Sequence, residues 1–182
     1  MQAEELYDSI RTGLIAMVPR LMRFAALLVG DRQAGTRLLG RALRRMLSEE
    51  HRYQRGTPLD GWAFGEIYRL WLEEQRDYGE PHYESDDATF AALVHNASGE
   101  APDAFITGFL LSLPPPQRLT LLLVYGERFD HGDAGRVLDV SAETISARLL
   151  RISAGLADQL SERATVPSVV SVEEQYAEGA AA

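Results

Sequence analysis

Ile10, Leu14, Met17, Leu21, Phe24 and Leu28 follow one another at alternating spacings of four and three, which aligns them along one side of an α-helix. Pro19 interrupts the stripe. It has no N–H, and its ring crowds the carbonyl four residues back, so the pattern predicts one helix ending near Met17 and another with Pro19 in its first turn. "GDRQAG" marks the next break, with Asp31 placed to cap a helix in which Leu38, Leu39, Ala42, Leu43 and Met46 share a side. Arg37, Arg41, Arg44 and Arg45 occupy much of the remaining surface of that helix. Thr57-Pro58 is a cap-then-proline start for "LDGWAFGEIYRLWLEEQR". Residues 1–79 are therefore expected to form a helical bundle.

Residues 80–102 are rich in turn formers and acids and read as a linker, although Ser85, Asp86 and Asp87 are placed to cap a short helix bearing Phe90, Leu93 and Val94. A second helical unit is expected over 103–162. Pro114 to Gln117 begin a helix with the apolar run "LTLLLVY", and "DHGDAGRVL" forms a short helix whose Asp130 is better read as a cap than as a metal ligand. The turn "DVS" follows. Asp139 is suited to the left-handed corner and Ser141 to capping the last helix. That helix sets Ile145, Leu149, Ile152, Leu156 and Leu160 on its inner face and Glu143, Thr144, Ser146, Ala147, Arg148 and Arg151 toward solvent or a groove. Residues 163–182 lose helical periodicity and read as a mobile tail. No strand pattern is visible, so the fold class is all-α: two small helical domains joined by an acidic linker.

Charge sharpens this picture. The 182 residues carry a net charge of −9, and every basic residue is an arginine. The first 79 residues are close to neutral, and the deficit of positive charge lies in the linker, the second unit and the tail. An acidic chain gains little from counterion release on a polyanion, so general nucleic-acid affinity is not expected. No apolar run approaches the ~18 residues of a membrane span, and the acidic start is unlike a secretory signal. No membrane role is expected. The absence of cysteine rules out disulfides and thiolate metal sites and fits a cytoplasmic protein. No phosphate loop, nucleophilic triad order or zincin motif is present, so neither catalysis, cofactor, metal nor small-molecule substrate is expected. Trp62 and Trp71 read as packing residues rather than base-stacking platforms.

The stretch "LPPPQRLTLLLVYGERFDHGDAGRVLDVSAETISARLLR" resembles the promoter-binding C-terminal domain of extracytoplasmic-function (ECF) sigma factors. It shares a leucine-proline start, a Gln-Arg pair, an acidic helix after a glycine corner, and a recognition helix. "VPRLMRFAALLVGD" and "TPLDGWAFGEIYRL", with Trp62, are similar to the family's N-terminal domain. The resemblance spans about residues 10–160. It implies a sigma region 2-like bundle, a sigma region 4-like helix-turn-helix, and a place in bacterial transcription initiation.

Some surfaces depart from the family pattern. Where family members present carboxylates to basic clamp helices of RNA polymerase, this chain has Thr36, Arg37, Leu38, Leu39, Gly40 and Arg41. The leucines of the core are kept, but Arg37 and Arg41 replace acids and Gly40 replaces a glutamine. The alternative reading of the arginine run is an idle solvated face. After the Trp62 helix, Glu73, Glu74 and Asp77 stand in a stretch that is usually basic, and Ser146 takes the place of a customary lysine. In this combination the chain resembles the sigma-like domain of the alphaproteobacterial general-stress response regulator, although the receiver domain of that regulator is not part of this sequence. The resemblance implies a sigma mimic that holds an anti-sigma factor in the cleft between its domains. The alternative is a divergent active sigma factor that binds core RNA polymerase and promoter DNA.

Overall fold

The computed structural model describes residues 2–48, 53, 56–78 and 104–165. Helix α1 spans Gln2–Val29, α2 Arg32–Ser48, α3 Leu59–Tyr78, α4 Ala104–Ser112 and α5 Pro115–Leu121. Helix α5 runs into a π-helical turn over Leu122–Gly126, and α6 (His131–Leu138) and α7 (Ala142–Thr165) follow. Every regular element among the described residues is helical. The expected linker over 80–102, the short helix within it, and the tail beyond Thr165 lie outside the described residues.

Helix α1 does not break at Pro19 as the pattern predicted; it continues through the proline. The reason is where the fault falls. Pro19 and Ile15, whose carbonyl loses its donor, are both exposed, so the lost hydrogen bond is on the watery side. On the opposite side Ile10, Leu14, Met17, Leu21, Phe24 and Leu28 are all buried, and that continuous burial outweighs one missing bond. Tyr7–Val29 is long and apolar enough to cross a membrane by composition. Its apolar stripe is instead covered by protein, in one core with residues of α2 and α3.

Gly30 ends α1 in the left-handed conformation (φ 79°), and Asp31 Oδ1 accepts from the Ala34 N–H at 2.6 Å, which caps α2 as the sequence predicted. Gly35 then lets α2 lie directly on α1. A Cβ at that position would stand 2.6 Å from Ala26 Cα and 2.7 Å from Ala26 N, contacts that only backbone movement could relieve. Helix α3 begins with the Pro58 carbonyl accepting from the Trp62 N–H. It supplies Trp62, Phe64 and Ile67 to the core, with Phe24 edge-on to Phe64 at 4.9 Å. Trp62 packs edge-on against Tyr53, and Trp71 stacks on Tyr68, consistent with packing roles.

Leu119, Leu123, Ala134, Val137, Leu138, Ile145 and Leu149 join the same apolar cluster as the α1–α3 residues. Helix α7 is the last of the chain's described elements and runs to Thr165, past the expected end at Glu162. Along its second half Ile152 is buried, Leu156 is half-buried and Leu160 is exposed.

Gly35→Ala is expected to destabilise the protein by about 1–3 kcal/mol, because the new methyl meets main chain and not a movable side chain. Urea denaturation followed by circular dichroism measures it. A loss below a few tenths would mean that α1 and α2 are not in such close contact.

Candidate functional site

Beside the shared apolar cluster, one buried carboxylate crosses from the segment before the helix-turn-helix to the α1–α3 bundle. Glu127 follows the π turn, and its N–H donates to the Leu122 carbonyl five residues back at 2.8 Å. Its side chain is only 3% exposed. Arg20 Nε on α1 donates to Glu127 Oε2 at 2.5 Å, and Arg23 Nη2 stands 3.5 Å from Oε1. The Arg20 guanidinium also lies 5.6 Å from the centroid of the Phe64 ring, which meets Phe129 edge-on at 5.7 Å. Glu127 and Phe129 thus both point into the bundle. Arg128, between them, is exposed and takes a left-handed conformation (φ 60°), which costs an arginine about 1–2 kcal/mol.

Beside this junction is a cavity of about 430 Å³. Pro58, Trp62 and Phe129 line it together with Arg69, Arg128 and Arg136 and the acids Asp60, Glu127 and Asp133. Arg69 is paired with Glu66 and Arg136 with Asp133. Arg128 makes no ion pair among the described residues, so it is the cation this cavity offers to a ligand.

Within the helix-turn-helix, Asp130 Oδ1 accepts from the Asp133 N–H at 2.7 Å and caps α6. Asp139 occupies the left-handed corner (φ 53°, ψ 48°), as expected from the sequence. Gly135 permits the tight turn, because a Cβ there would stand 2.6 Å from the Val140 carbonyl oxygen. Ser141 caps α7, its Oγ accepting from the Thr144 N–H at 3.3 Å.

The groups expected to face DNA are largely engaged elsewhere. The Glu143 carboxylate is held below its usual range, first by its own backbone N–H and then by the Ser141 hydroxyl. It therefore sits on the helix N-terminus that would otherwise attract a phosphate. Ser146 Oγ donates to the Ala142 carbonyl at 3.0 Å, which leaves His131 Nδ1 as the donor in the 2.9 Å contact between His131 and Ser146. Thr144 Oγ1 is 3.2 Å from Ser141 Oγ. Arg148 is half-buried, with Nη1 shielded from water and without a hydrogen bond. Its charge reaches Tyr68 on α3, where it opposes the larger effect of burial, which raises the phenol pKa. Ala147 and Arg151 are exposed.

On α2, Thr36, Arg37, Gly40 and Arg41 are all exposed. Thr36 Oγ1 donates to the Arg32 carbonyl at 2.9 Å. Arg41 makes a two-pronged contact with Glu74 on α3, Nε and Nη2 each 2.7 Å from a carboxylate oxygen. Arg45 does the same with Glu73, at 2.5 and 3.2 Å. The arginines of α2 and the glutamates of α3, which look like separate features along the chain, are partners in space. The residues that sequence reasoning missed are Arg20, Arg23, Glu127, Arg128 and Phe129. Only the glycine corner at Gly126 hinted at them.

No family model matches the chain. It is 30% identical over 151 residues to the "ECF RNA polymerase sigma factor EcfG" of Rhodopseudomonas palustris (strain TIE-1), covering 80% of this chain and 82% of the relative. Among solved structures it is similar to the sigma factor RpoE of Bartonella quintana, determined in complex with the anti-sigma factor NepR. The TM-score there is 0.66 at 21% identity, over 88% of this chain and 99% of that one. It is also similar to the anti-anti-sigma factor PhyR of the same organism, complexed with NepR, with a TM-score of 0.56 at 17% identity. That match covers 82% of this chain but only 49% of PhyR, so the chain spans about half of that protein's length. At these identities the structural likeness speaks to the fold.

Glu127→Ala is expected to cost about 1–3 kcal/mol, since it leaves half-buried Arg23 without its carboxylate and Arg20 with only the longer 3.8 Å contact to Asp60. Arg128→Gly should be neutral or stabilising by up to about 1 kcal/mol, because it releases the left-handed strain next door. Chemical denaturation of the two variants side by side separates these effects; similar losses in both would mean that the loop, and not the carboxylate, holds the junction. At the corner, Asp139→Gly should be neutral or slightly stabilising, and Asp139→Val should lower stability by about 1 kcal/mol or more. An unchanged melting temperature for the valine variant would contradict the left-handed corner.

Proposed function

The chain belongs to the ECF RNA polymerase sigma-factor family, and within it we propose that this sigma-type transcription regulator acts as a mimic that occupies an anti-sigma factor. The observation that carries this reading is the α2 face. At positions where the family resemblance implies carboxylates for a basic clamp on polymerase, this chain exposes Arg37 and Arg41. Like charges brought together at an interface cost several kcal/mol, so the face opposes polymerase docking. The helix-turn-helix supports the same conclusion. Glu143 covers the N-terminus of α7, Ser146 is engaged with Ala142 and His131, and the Arg148 guanidinium is partly withdrawn from solvent. Few donors remain to hold a duplex at physiological salt.

An anti-sigma partner matches what the solved relatives bind, since both RpoE and PhyR were determined in complex with NepR. We place its contact at the junction of α3 with the segment that carries Glu127, Arg128 and Phe129. The cavity there combines Trp62 and Phe129 with Arg128, which makes no ion pair among the described residues, a mixture that suits a protein anchor. A second reading, a divergent active sigma factor, is favoured by the 30% identity to EcfG over 82% of its length.

The two readings separate in a binding experiment with purified core polymerase and a NepR-type anti-sigma factor. The mimic co-elutes with the anti-sigma factor and not with polymerase, and shows no measurable affinity for promoter duplex at physiological salt. Submicromolar, salt-sensitive and sequence-dependent duplex binding would establish the active sigma factor instead. Restoring the docking charge requires respect for the α2–α3 pairs, because Arg41→Glu alone would set a second carboxylate against Glu74. The triple variant Arg37→Asp, Arg41→Glu, Glu74→Arg keeps the pair with its polarity reversed, and it is expected to gain affinity for core polymerase. A natural protein that binds core tightly and a variant that binds worse would reverse the assignment.

A further inference from the structure

Helix α2 carries a second feature that neither polymerase repulsion nor anti-sigma capture explains. Gly40 lies in the interior of the helix, is exposed, and would have nothing within 4 Å of a Cβ. The fold does not need glycine there. An alanine would fit and would stabilise the helix by about 0.5–1 kcal/mol. What the missing side chain provides is a stretch of bare helix backbone at the surface.

The surroundings of that notch define its complement. Arg37, Arg41 and Arg44 follow at i, i+4 and i+7, a single stripe along the helix, and all three are exposed. Arg41 is held in position by Glu74. Arg37 and Arg44 make no ion pair among the described residues. Alongside runs a second stripe, with Gly40 flanked by half-buried Leu43 and by Leu47, which is 43% exposed. Helix α2 has five arginines and no acid, in a chain of net charge −9.

We propose that this face of α2 is a docking surface for an acidic amphipathic helix of a protein partner. The apolar side of that helix would rest on Gly40, Leu43 and Leu47, and its carboxylates would meet Arg37 and Arg44, on either side of the Glu74-bound Arg41. The small residue permits close approach, and the guanidinium fork suits carboxylates. A nucleic acid fits less well. Its phosphate backbone offers nothing to the apolar flank of Gly40, Leu43 and Leu47. This surface is distinct from the Arg128 cavity, so its test does not depend on anti-sigma capture.

Fluorescence anisotropy on the full chain tests it, with three labelled probes: a stapled peptide helix with one Glu stripe and one Leu stripe, the same peptide with Lys for Glu, and a short DNA duplex. The Glu peptide is expected to bind, more weakly as salt rises, and the other two to bind at least about tenfold less well. Arg37→Glu with Arg44→Glu should weaken the Glu peptide by more than about tenfold. Gly40→Leu should also weaken it while raising the melting temperature, a combination that a purely structural glycine would not give. Equal binding of the Lys peptide or of the duplex, or undiminished affinity in a folded Gly40→Leu variant, would overturn the proposal.

Discussion

A carboxylate with 3% exposure, hydrogen-bonded to Arg20 and 3.5 Å from Arg23, more than a hundred positions away, ties the segment before the helix-turn-helix to α1 beside the shared apolar core. A buried carboxylate is costly unless it is paired, and Arg20 and Arg23 on α1 stand beside Glu127. The contact defines geometry more than it adds stability, because the desolvation of a buried ion offsets much of the attraction. What it fixes is the approach of the helix-turn-helix to the bundle. Phe129 then meets Phe64, and Phe64 meets Phe24, so rings from both halves form one edge-to-face series. The π turn and the left-handed Arg128 are the local backbone adjustments that aim Glu127 and Phe129 together at the bundle.

The same junction accounts for the condition of the recognition helix. Once α3 lies near the corner residue Asp139, Tyr68 feels both Asp139 and Arg148, and Arg148 gives up part of its access to solvent. A helix-turn-helix reads DNA by projecting long polar side chains from one exposed face. Here that face carries an acid on the helix terminus, short side chains already engaged in local bonds, Arg148 drawn toward the protein, and exposed Arg151. The corner geometry at Gly135 and Asp139 is intact.

Most of the architecture was legible in the sequence because it depends on local rules. The stripes of α1, α2 and α7, the cap at Asp31, the cap at Asp130 and the corner at Asp139 are all settled by residues within a turn or two of one another. Pro19 was misread for an instructive reason. A proline breaks a helix unless the lost bond faces water and the opposite face is continuously buried, and that balance depends on tertiary packing. The junction was illegible for the same reason at longer range. Nothing near Glu127 in sequence distinguishes it from a surface acid; only the fold brings Arg20 and Arg23 to it.

The pairing of α2 with α3 changes how the departures from the family pattern should be understood. Along the chain, arginines at the polymerase-facing positions and glutamates after the Trp62 helix look like two independent losses, one for each binding surface. In space Arg41 meets Glu74 and Arg45 meets Glu73, each through both prongs of the guanidinium. Each pair is partly exposed, so its contribution to stability is at most about 1 kcal/mol. The constraint is nonetheless mutual. An acid restored at position 41 meets Glu74, and a basic residue restored at position 74 meets Arg41. A single step back toward either ordinary surface first creates a like-charge contact inside the protein. The two surfaces are therefore coupled through the helix packing: reversing the charge of Arg41 or Arg45 on α2 requires a matching reversal on α3.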